Sequence, residues 1–246
     1  MEEEKEKEKG QEKKFEERIY LRESVNLFTL LTGILYGELD GRLGIKDAIK
    51  KNLKKPVPHH VNLSFCFGGI SFFLFLILLA TGVLLLMYYR PTTADAYESV
   101  VLISNVVSYG WLFRGLHHWA ANIMVLMVIF HMGRVFFYGA YKPPRDFNWV
   151  VGMVLLFMTL MFGFSGYLLP WNQISFWATT VVTDAMGALP LVGGTLKYFI
   201  RGGPEVSQLT LTRFFALHVV ILPAAMFAFL FLHFGILRKQ GISGPF

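Results

Sequence analysis

Residues 113–138 read FRGLHHWAANIMVLMVIFHMGRVFFY, an apolar run that carries three histidines. The run exceeds the roughly 20 helical residues that cross the hydrocarbon core of a bilayer. Three other runs of this kind lie at about 63–89, 149–169 and 214–237. Because a backbone in lipid must satisfy its own hydrogen bonds, each run is expected to be a helix. We name the four runs spans A to D in chain order, with 113–138 as span B, and predict an all-α membrane protein built on a four-helix transmembrane bundle.

The composition also indicates a lipid bilayer as the solvent. Hydrophobic residues make up 54% of the 246 residues and charged residues only 16%, against about 25% in soluble domains. The net charge is +6, but the lysines concentrate in the first 55 positions and no basic stripe alternates with aromatic residues. We therefore predict no nucleic-acid partner. The single cysteine excludes an internal disulfide.

The charges of the links predict the orientation in the membrane. Lys142 and Arg145 lie between spans B and C, and Arg238 follows span D, whereas Asp95 and Glu98 lie between spans A and B. The positive-inside rule places both termini and the B–C link on the cytoplasmic side, which we call the n side. The A–B and C–D links then lie on the opposite side, which we call the p side.

The chain is predicted to have three parts. Residues 1–24 are rich in Glu and Lys, which predicts a disordered tail without a cleavable signal peptide. Residues 25–60 are expected to hold an n-side interfacial helix and a linker, because the apolar run at 25–39 is too short to span. Residues 61–246 carry the four spans. Their long C–D link, 172–212, is expected to contain short helices on the p surface.

Two spans each carry a pair of histidines. His117 and His131 are 14 residues apart in span B, and His218 and His233 are 15 apart in span D. At about 100° per residue, each pair lies on one helix face, whereas His118 is about 140° from His131. Spans B and D run parallel, so His117 lies level with His218 towards the p side and His131 with His233 towards the n side. Two imidazoles at each level predict two six-coordinate hemes, one near each surface. The alternative is four unrelated buried histidines that pack by hydrogen bonds.

Spans A and C repeat a glycine at the same interval. Gly68 and Gly82 are 14 residues apart, as are Gly152 and Gly166. A glycine would let the backbone approach the flat face of a porphyrin, although small residues also serve ordinary helix packing. Arg114 and Arg134 bracket the span-B histidines and are candidates for binding heme propionates. Positive-inside flanking is the alternative for Arg134.

These motifs, together with GYLLPW at 166–171 and RKQGISGP at 238–245, resemble cytochrome b of the Rieske/cytochrome b complexes. The longer second histidine spacing and the end of the chain soon after span D are similar to the split, b6-type form. The resemblance covers about residues 40–246. It implies a homodimeric complex with a Rieske iron–sulfur protein, a subunit IV-type membrane protein and a cytochrome c-type subunit or acceptor.

The resemblance further implies bifurcated quinol oxidation on the p side, with Tyr167, Pro170 and Trp171 lining the quinol site. One electron would pass to the Rieske partner and the other through the two b hemes to a quinone site on the n side. This sequence departs from the family at Asn172, where the usual residue is Asp. The substitution removes an acid and puts a proton-relay role at that position in doubt.

Cys66 lies at the start of span A within Phe-Cys-Phe-Gly-Gly. In b6-type proteins this position resembles the attachment point of a third heme, held by one thioether bond without a side-chain iron ligand. The alternative is a small buried residue. The resemblance also implies that Arg238 takes part in quinone reduction near this heme.

Two other functions compete at this stage. The first is the di-heme membrane anchor of a hydrogenase or formate dehydrogenase, which does not share the glycine spacing. The second is a non-redox transporter or scaffold. The resemblance to respiratory forms predicts menaquinol and a bacterial plasma membrane, with a photosynthetic membrane as the alternative.

Overall fold

The computed structural model describes residues 61–241 without a break and scattered positions between 33 and 59. The predicted tail at 1–24, most of the interfacial segment at 25–60 and the last five residues lie outside the described residues. The chain divides into two compact units, Met1–His59 and His60–Phe246. Within the first unit, Arg42 pairs with Glu38 one helical turn away, at 2.7 Å. All features below lie in the second unit.

Four helices are long and apolar enough to cross a membrane, which confirms the predicted fold class. Span A is a 3₁₀ turn, Leu63–Cys66, that continues into the helix Phe67–Leu86. Span B is Gly110–Phe137 and span C is Asp146–Leu168. Span D is Gln208–Gln240, in which a π-helical turn at Leu217–Ile221 joins two α-helical parts. It begins six residues before the predicted start at 214, at a capping box of Ser207 and Thr210.

The bundle consists of two helix pairs. Span A packs mainly on span B, and span D packs mainly on span C. Buried side chains from all four spans form one apolar core: Leu74, Phe75, Ala120, Met124, Val151, Leu155, Met158, Leu222 and Met226. The outward faces are apolar as well, since Phe73 and Phe231 are 63% and 84% exposed. Such faces are tolerated where lipid covers them.

Short helices occupy the links on the p side. The C–D link contains α2 (Gln173–Gly187) and α3 (Gly193–Arg201), as expected for this link. The A–B link contains a helix that the sequence reading did not identify, α1 (Ala96–Asn105). Its ten residues are too few for a clear periodic signal between two longer apolar runs.

Arg201 joins α2 to α3. Its side chain is buried and donates hydrogen bonds to the Thr183 hydroxyl at 2.7 Å and to the Thr180 carbonyl at 2.7 Å. It also pairs with Asp184 at 3.0 Å, and Lys197 pairs with the same carboxylate at 2.5 Å. The hydrogen bond from Lys197, followed by that from Arg201, lowers the pKa of Asp184. This polar cluster holds α3 against α2 without an apolar core of its own.

Candidate functional site

The structure brings the four histidines together in two pairs. The ring centroids of His117 and His218 are 6.4 Å apart, and those of His131 and His233 are also 6.4 Å apart. These are the pairs that the residue spacing predicts. His118 lies apart from them, exposed, with its carbonyl accepting a hydrogen bond from Asn122 at 2.9 Å. Each level of the bundle therefore offers two imidazoles from spans B and D.

The distance between paired rings fits one metal ion between them. An imidazole nitrogen lies about 1.1 Å from its ring centre and a metal–nitrogen bond is about 2.0 Å long. Two rings that bind one metal from opposite sides therefore have centres about 6.2 Å apart, close to the observed 6.4 Å. Among the described residues, no group of three or more His, Cys, Asp or Glu surrounds a metal site. Two axial imidazoles with the other ligands supplied by a macrocycle are the arrangement of a bis-histidine heme.

The π-helical turn explains how unequal spacings give equal levels. His218 lies within Leu217–Ile221, where hydrogen bonds run from residue i to i+5 and accommodate one extra residue. The 15 residues from His218 to His233 thus cover about the rise and rotation of 14 residues in a regular helix. Spans B and D match because the additional residue of span D is absorbed at the turn.

Each of the four repeated glycines lies against one histidine ring. A Cβ atom at Gly166 would be 2.6 Å from Cε1 of His218, and one at Gly68 would be 3.0 Å from Cε1 of His131. The corresponding distances are 3.4 Å from Gly82 to His117 and 3.7 Å from Gly152 to His233. The glycines of span A therefore face the histidines of span B, and those of span C face the histidines of span D. Their role in admitting a porphyrin stays a prediction.

Two hydroxyl groups lie beside the p-side histidines. Thr81 Oγ1 is 2.9 Å from Nδ1 of His117, and Ser165 Oγ is 3.1 Å from Nδ1 of His218. Sequence reasoning missed both, although a signal existed: each hydroxyl residue directly precedes a glycine of the repeated pairs, Gly82 or Gly166.

The two predicted propionate arginines lie in different environments. Arg134 places its guanidinium 3.5 Å from the ring centroid of Phe65 and 5.1 Å from that of Tyr138. Tyr138 in turn accepts a hydrogen bond from Asn62 at 3.3 Å. Arg114 is exposed towards the p end of span B. Arg134 is therefore held at the n end by aromatic rings, and propionate binding by either residue stays a prediction.

Cys66 is the last residue of the 3₁₀ turn, and its thiol is free and exposed. Gly68, two residues further on, lies against His131. The thiol is therefore near the level of His131 and His233, accessible for a covalent bond. Arg238 is exposed in the last turn of span D, at the same end of the bundle.

The predicted quinol-site residues lie where span C ends. Tyr167 is exposed, whereas Pro170 and Trp171 are half-buried, and Trp171 packs edge-on against Phe176 with centroids 5.7 Å apart. The residue that departs from the family has a local role: the Asn172 side chain accepts a hydrogen bond from the Ser175 backbone N–H at 2.9 Å and caps α2. An aspartate would provide the same acceptor.

Comparisons with known proteins agree with this geometry. The family model "Cytochrome b/b6/petB" matches residues 52–241. Cytochrome b6 of Gracilaria tenuistipitata var. liui is 50% identical over 191 residues, covering 78% of this chain and 89% of that protein. Cytochrome b6 of Synechococcus elongatus is 49% identical with the same coverage.

Among solved structures, a chain of "Hyperthermophilic respiratory Complex III" matches with a TM-score of 0.79 and 32% identity over 85% of this chain. The present chain spans 56% of the length of that chain. Fold, histidine pairs and sequence thus lead to one conclusion: the chain belongs to the cytochrome b/b6/petB family of electron-transfer membrane subunits.

Proposed function

We propose that the chain holds two b hemes and passes electrons through the membrane from a p-side quinol-oxidation site to an n-side quinone site. The observation that carries this proposal is the pair of histidine levels, each with rings 6.4 Å apart, on the same two spans. Membership in the cytochrome b family implies heme b. His117 and His218 would hold the p-side heme, and His131 and His233 the n-side heme.

When bound, heme supplies reversible one-electron chemistry at its iron. Two histidines at each level occupy both axial positions, which suits electron transfer rather than gas binding. The two levels are about 21 Å apart along the helices. The apolar side chains of the bundle exclude water between them, so that an electron moved from one level to the other separates charge across a medium of low dielectric constant.

Span C and the start of α2 would line the quinol site through Tyr167, Pro170 and Trp171. The exposed ring of Tyr167 and the half-buried Trp171 offer apolar surface with polar edges, which suits a quinone head group. Asn172 carries no proton, so a partner subunit would supply the base that accepts one. Arg114 and Arg134 would bind propionates at the two ends of span B.

Cys66 would hold the additional heme on the n side. Its thiol adds across a heme vinyl group: a C–S bond forms, the thiol proton passes to the neighbouring vinyl carbon, and no electrons are lost or gained. The exposure of the thiol supports this reaction. Arg238, at the same end of the bundle, would interact with the quinone bound there.

The function requires partners that this chain does not contain. These are a Rieske iron–sulfur protein, a subunit IV-type membrane protein and a cytochrome c-type acceptor, assembled as a homodimeric complex. The match to a protein titled as a respiratory complex supports a bacterial plasma membrane and menaquinol. The similarity to cytochrome b6 sequences supports the photosynthetic alternative. The family match favours both over the di-heme anchor of a hydrogenase or formate dehydrogenase.

Heme analysis of the purified complex tests the proposal. We expect two extractable b hemes for each copy of this chain, and one heme that stays with the denatured chain and gives peroxidase staining at 28.0 kDa. The stain should disappear in Cys66→Ala, while the b hemes remain. Absence of b heme from the intact complex would refute the electron-transfer proposal. A colourless band at 28.0 kDa would refute the covalent heme alone.

A further inference from the structure

The p-side histidines share a hydrogen-bond arrangement. Thr81 and Ser165 lie on different spans, yet each places its hydroxyl oxygen on Nδ1 of one p-side histidine, at 2.9 Å and 3.1 Å. Both residues are buried, with 5% and 0% exposure. Water therefore does not compete for these bonds, and each hydroxyl acts on one ring.

The direction of the two hydrogen bonds follows from counting protons. A hydroxyl has one proton to donate. Thr81 donates it to the Ile77 carbonyl at 2.7 Å, and Ser165 donates it to the Met161 carbonyl at 2.7 Å. Each oxygen must therefore accept from the imidazole, which places the ring proton on Nδ1. Nε2 of His117 and of His218 is left unprotonated, as an iron ligand must be.

The n-side histidines lack this arrangement. Phe67 and Val151 precede the glycines that face His131 and His233, at the positions that Thr81 and Ser165 occupy on the p side. In the described part of the chain, no side-chain hydroxyl hydrogen-bonds either n-side ring. The bundle repeats its glycines and histidines at both levels, but it places hydroxyl acceptors at one level only.

We propose that Thr81 and Ser165 are positioning residues that lower the reduction potential of the p-side heme relative to the n-side heme. This inference rests on the proposed heme ligation. An acceptor on Nδ1–H raises the basicity of the other ring nitrogen. The hydroxyl is the stronger acceptor because it is itself donating to a carbonyl. A more basic ligand stabilises the ferric iron, so electron transfer from the p level to the n level becomes downhill.

Potentiometric titration of the intact complex, followed through the b-heme absorbance, tests this proposal. Thr81→Val and Ser165→Ala remove one hydroxyl each, and Thr81→Ser restores it on a smaller side chain. We expect each removal to favour the reduced p-side heme by about threefold. The double variant should do so by about tenfold, which is about 59 mV for one electron. The n-side wave should stay in place.

Two other buried hydroxyls serve as matched controls. Ser71 on span A and Thr159 on span C also donate to the carbonyl four residues earlier, at 2.9 Å and 2.8 Å, and neither bonds a histidine. Ser71→Ala and Thr159→Val should leave both waves unmoved.

The outcomes separate the inference from the heme assignment. Two waves in the unmodified complex that do not move in Thr81→Val or Ser165→Ala would overturn the inference and leave the ligation intact. Equal shifts of both waves, or the same shift in the controls, would also overturn it. If Thr81→Val does not assemble, Ser165→Ala on the other span carries the same expectation. Complete absence of a b-heme signal from the unmodified complex would refute the proposed function itself.

Discussion

A Cβ atom at Gly166 would lie 2.6 Å from Cε1 of His218, closer than two carbon atoms pack. No residue larger than glycine fits there unless the ring moves. The four glycine–histidine distances increase in the order Gly166, Gly68, Gly82 and Gly152. This order predicts how much each heme level tolerates a methyl group.

Gly166→Ala should remove the p-side heme or strongly weaken its binding, because overpacking of this kind costs about 1–3 kcal/mol and displaces a ligand. Gly152→Ala, with ordinary contact at 3.7 Å, should keep both hemes. Gly163→Ala is the matched control on the same span, since nothing lies within 4 Å of that position. Heme content per chain in the purified complex measures all three. Equal heme loss in Gly163→Ala and Gly166→Ala would contradict the argument.

Deletion of Val220 should be tolerated. This residue is 62% exposed within the π-helical turn, and its removal lets the turn close into a regular helix with 14 residues between the histidines. Both b hemes should remain, as judged by the reduced-minus-oxidised spectrum. Deletion of Ile123, which is 42% exposed between His117 and His131, is the comparison. Span B has no extra residue to absorb it, so the ring of His131 rotates by about 100° and the n-side heme should be lost.

The link between α2 and α3 should loosen in acid. Lys197 and Arg201 hold the pKa of Asp184 below its usual 3.8, so the ion pairs stabilise the folded state above that value. This contribution is lost as the pH falls through the lowered pKa. Hydrogen exchange of residues 184–201 between pH 5 and pH 2 should accelerate beyond the intrinsic rate in the unmodified chain. Asp184→Asn should exchange faster at neutral pH and lose the acid transition; an unchanged transition in that variant would exclude Asp184 as its source.

Asn172→Asp should leave the thermal stability of the complex nearly unchanged, because either side chain can accept the hydrogen bond from Ser175 that caps α2. Asn172→Ala removes the acceptor and should cost about 1 kcal/mol. Thermal unfolding followed by loss of the heme spectrum compares the two variants. A large loss of stability in Asn172→Asp would show that the cap tolerates only the amide.

Much of the bundle can be predicted from the sequence, because lipid demands long apolar helices and heme demands histidines at matched heights. The residue spacing alone places His117 opposite His218 and His131 opposite His233. The π-helical turn escaped prediction, since the apolar pattern is the same whether hydrogen bonds skip four residues or five. α1 escaped because ten residues between two spans carry little periodic signal. The partnership of Thr81 with His117 depends on packing between helices, which single-sequence patterns do not encode.

The division of the bundle into an A–B half and a C–D half has a consequence for biogenesis. Each histidine pair joins span B of one half to span D of the other, so insertion of the cofactor fastens together two hairpins that otherwise share little contact. Until then the halves can separate in the membrane and expose polar imidazoles to quality-control proteases. Cellular heme supply would in this way set the lifetime of the newly made chain.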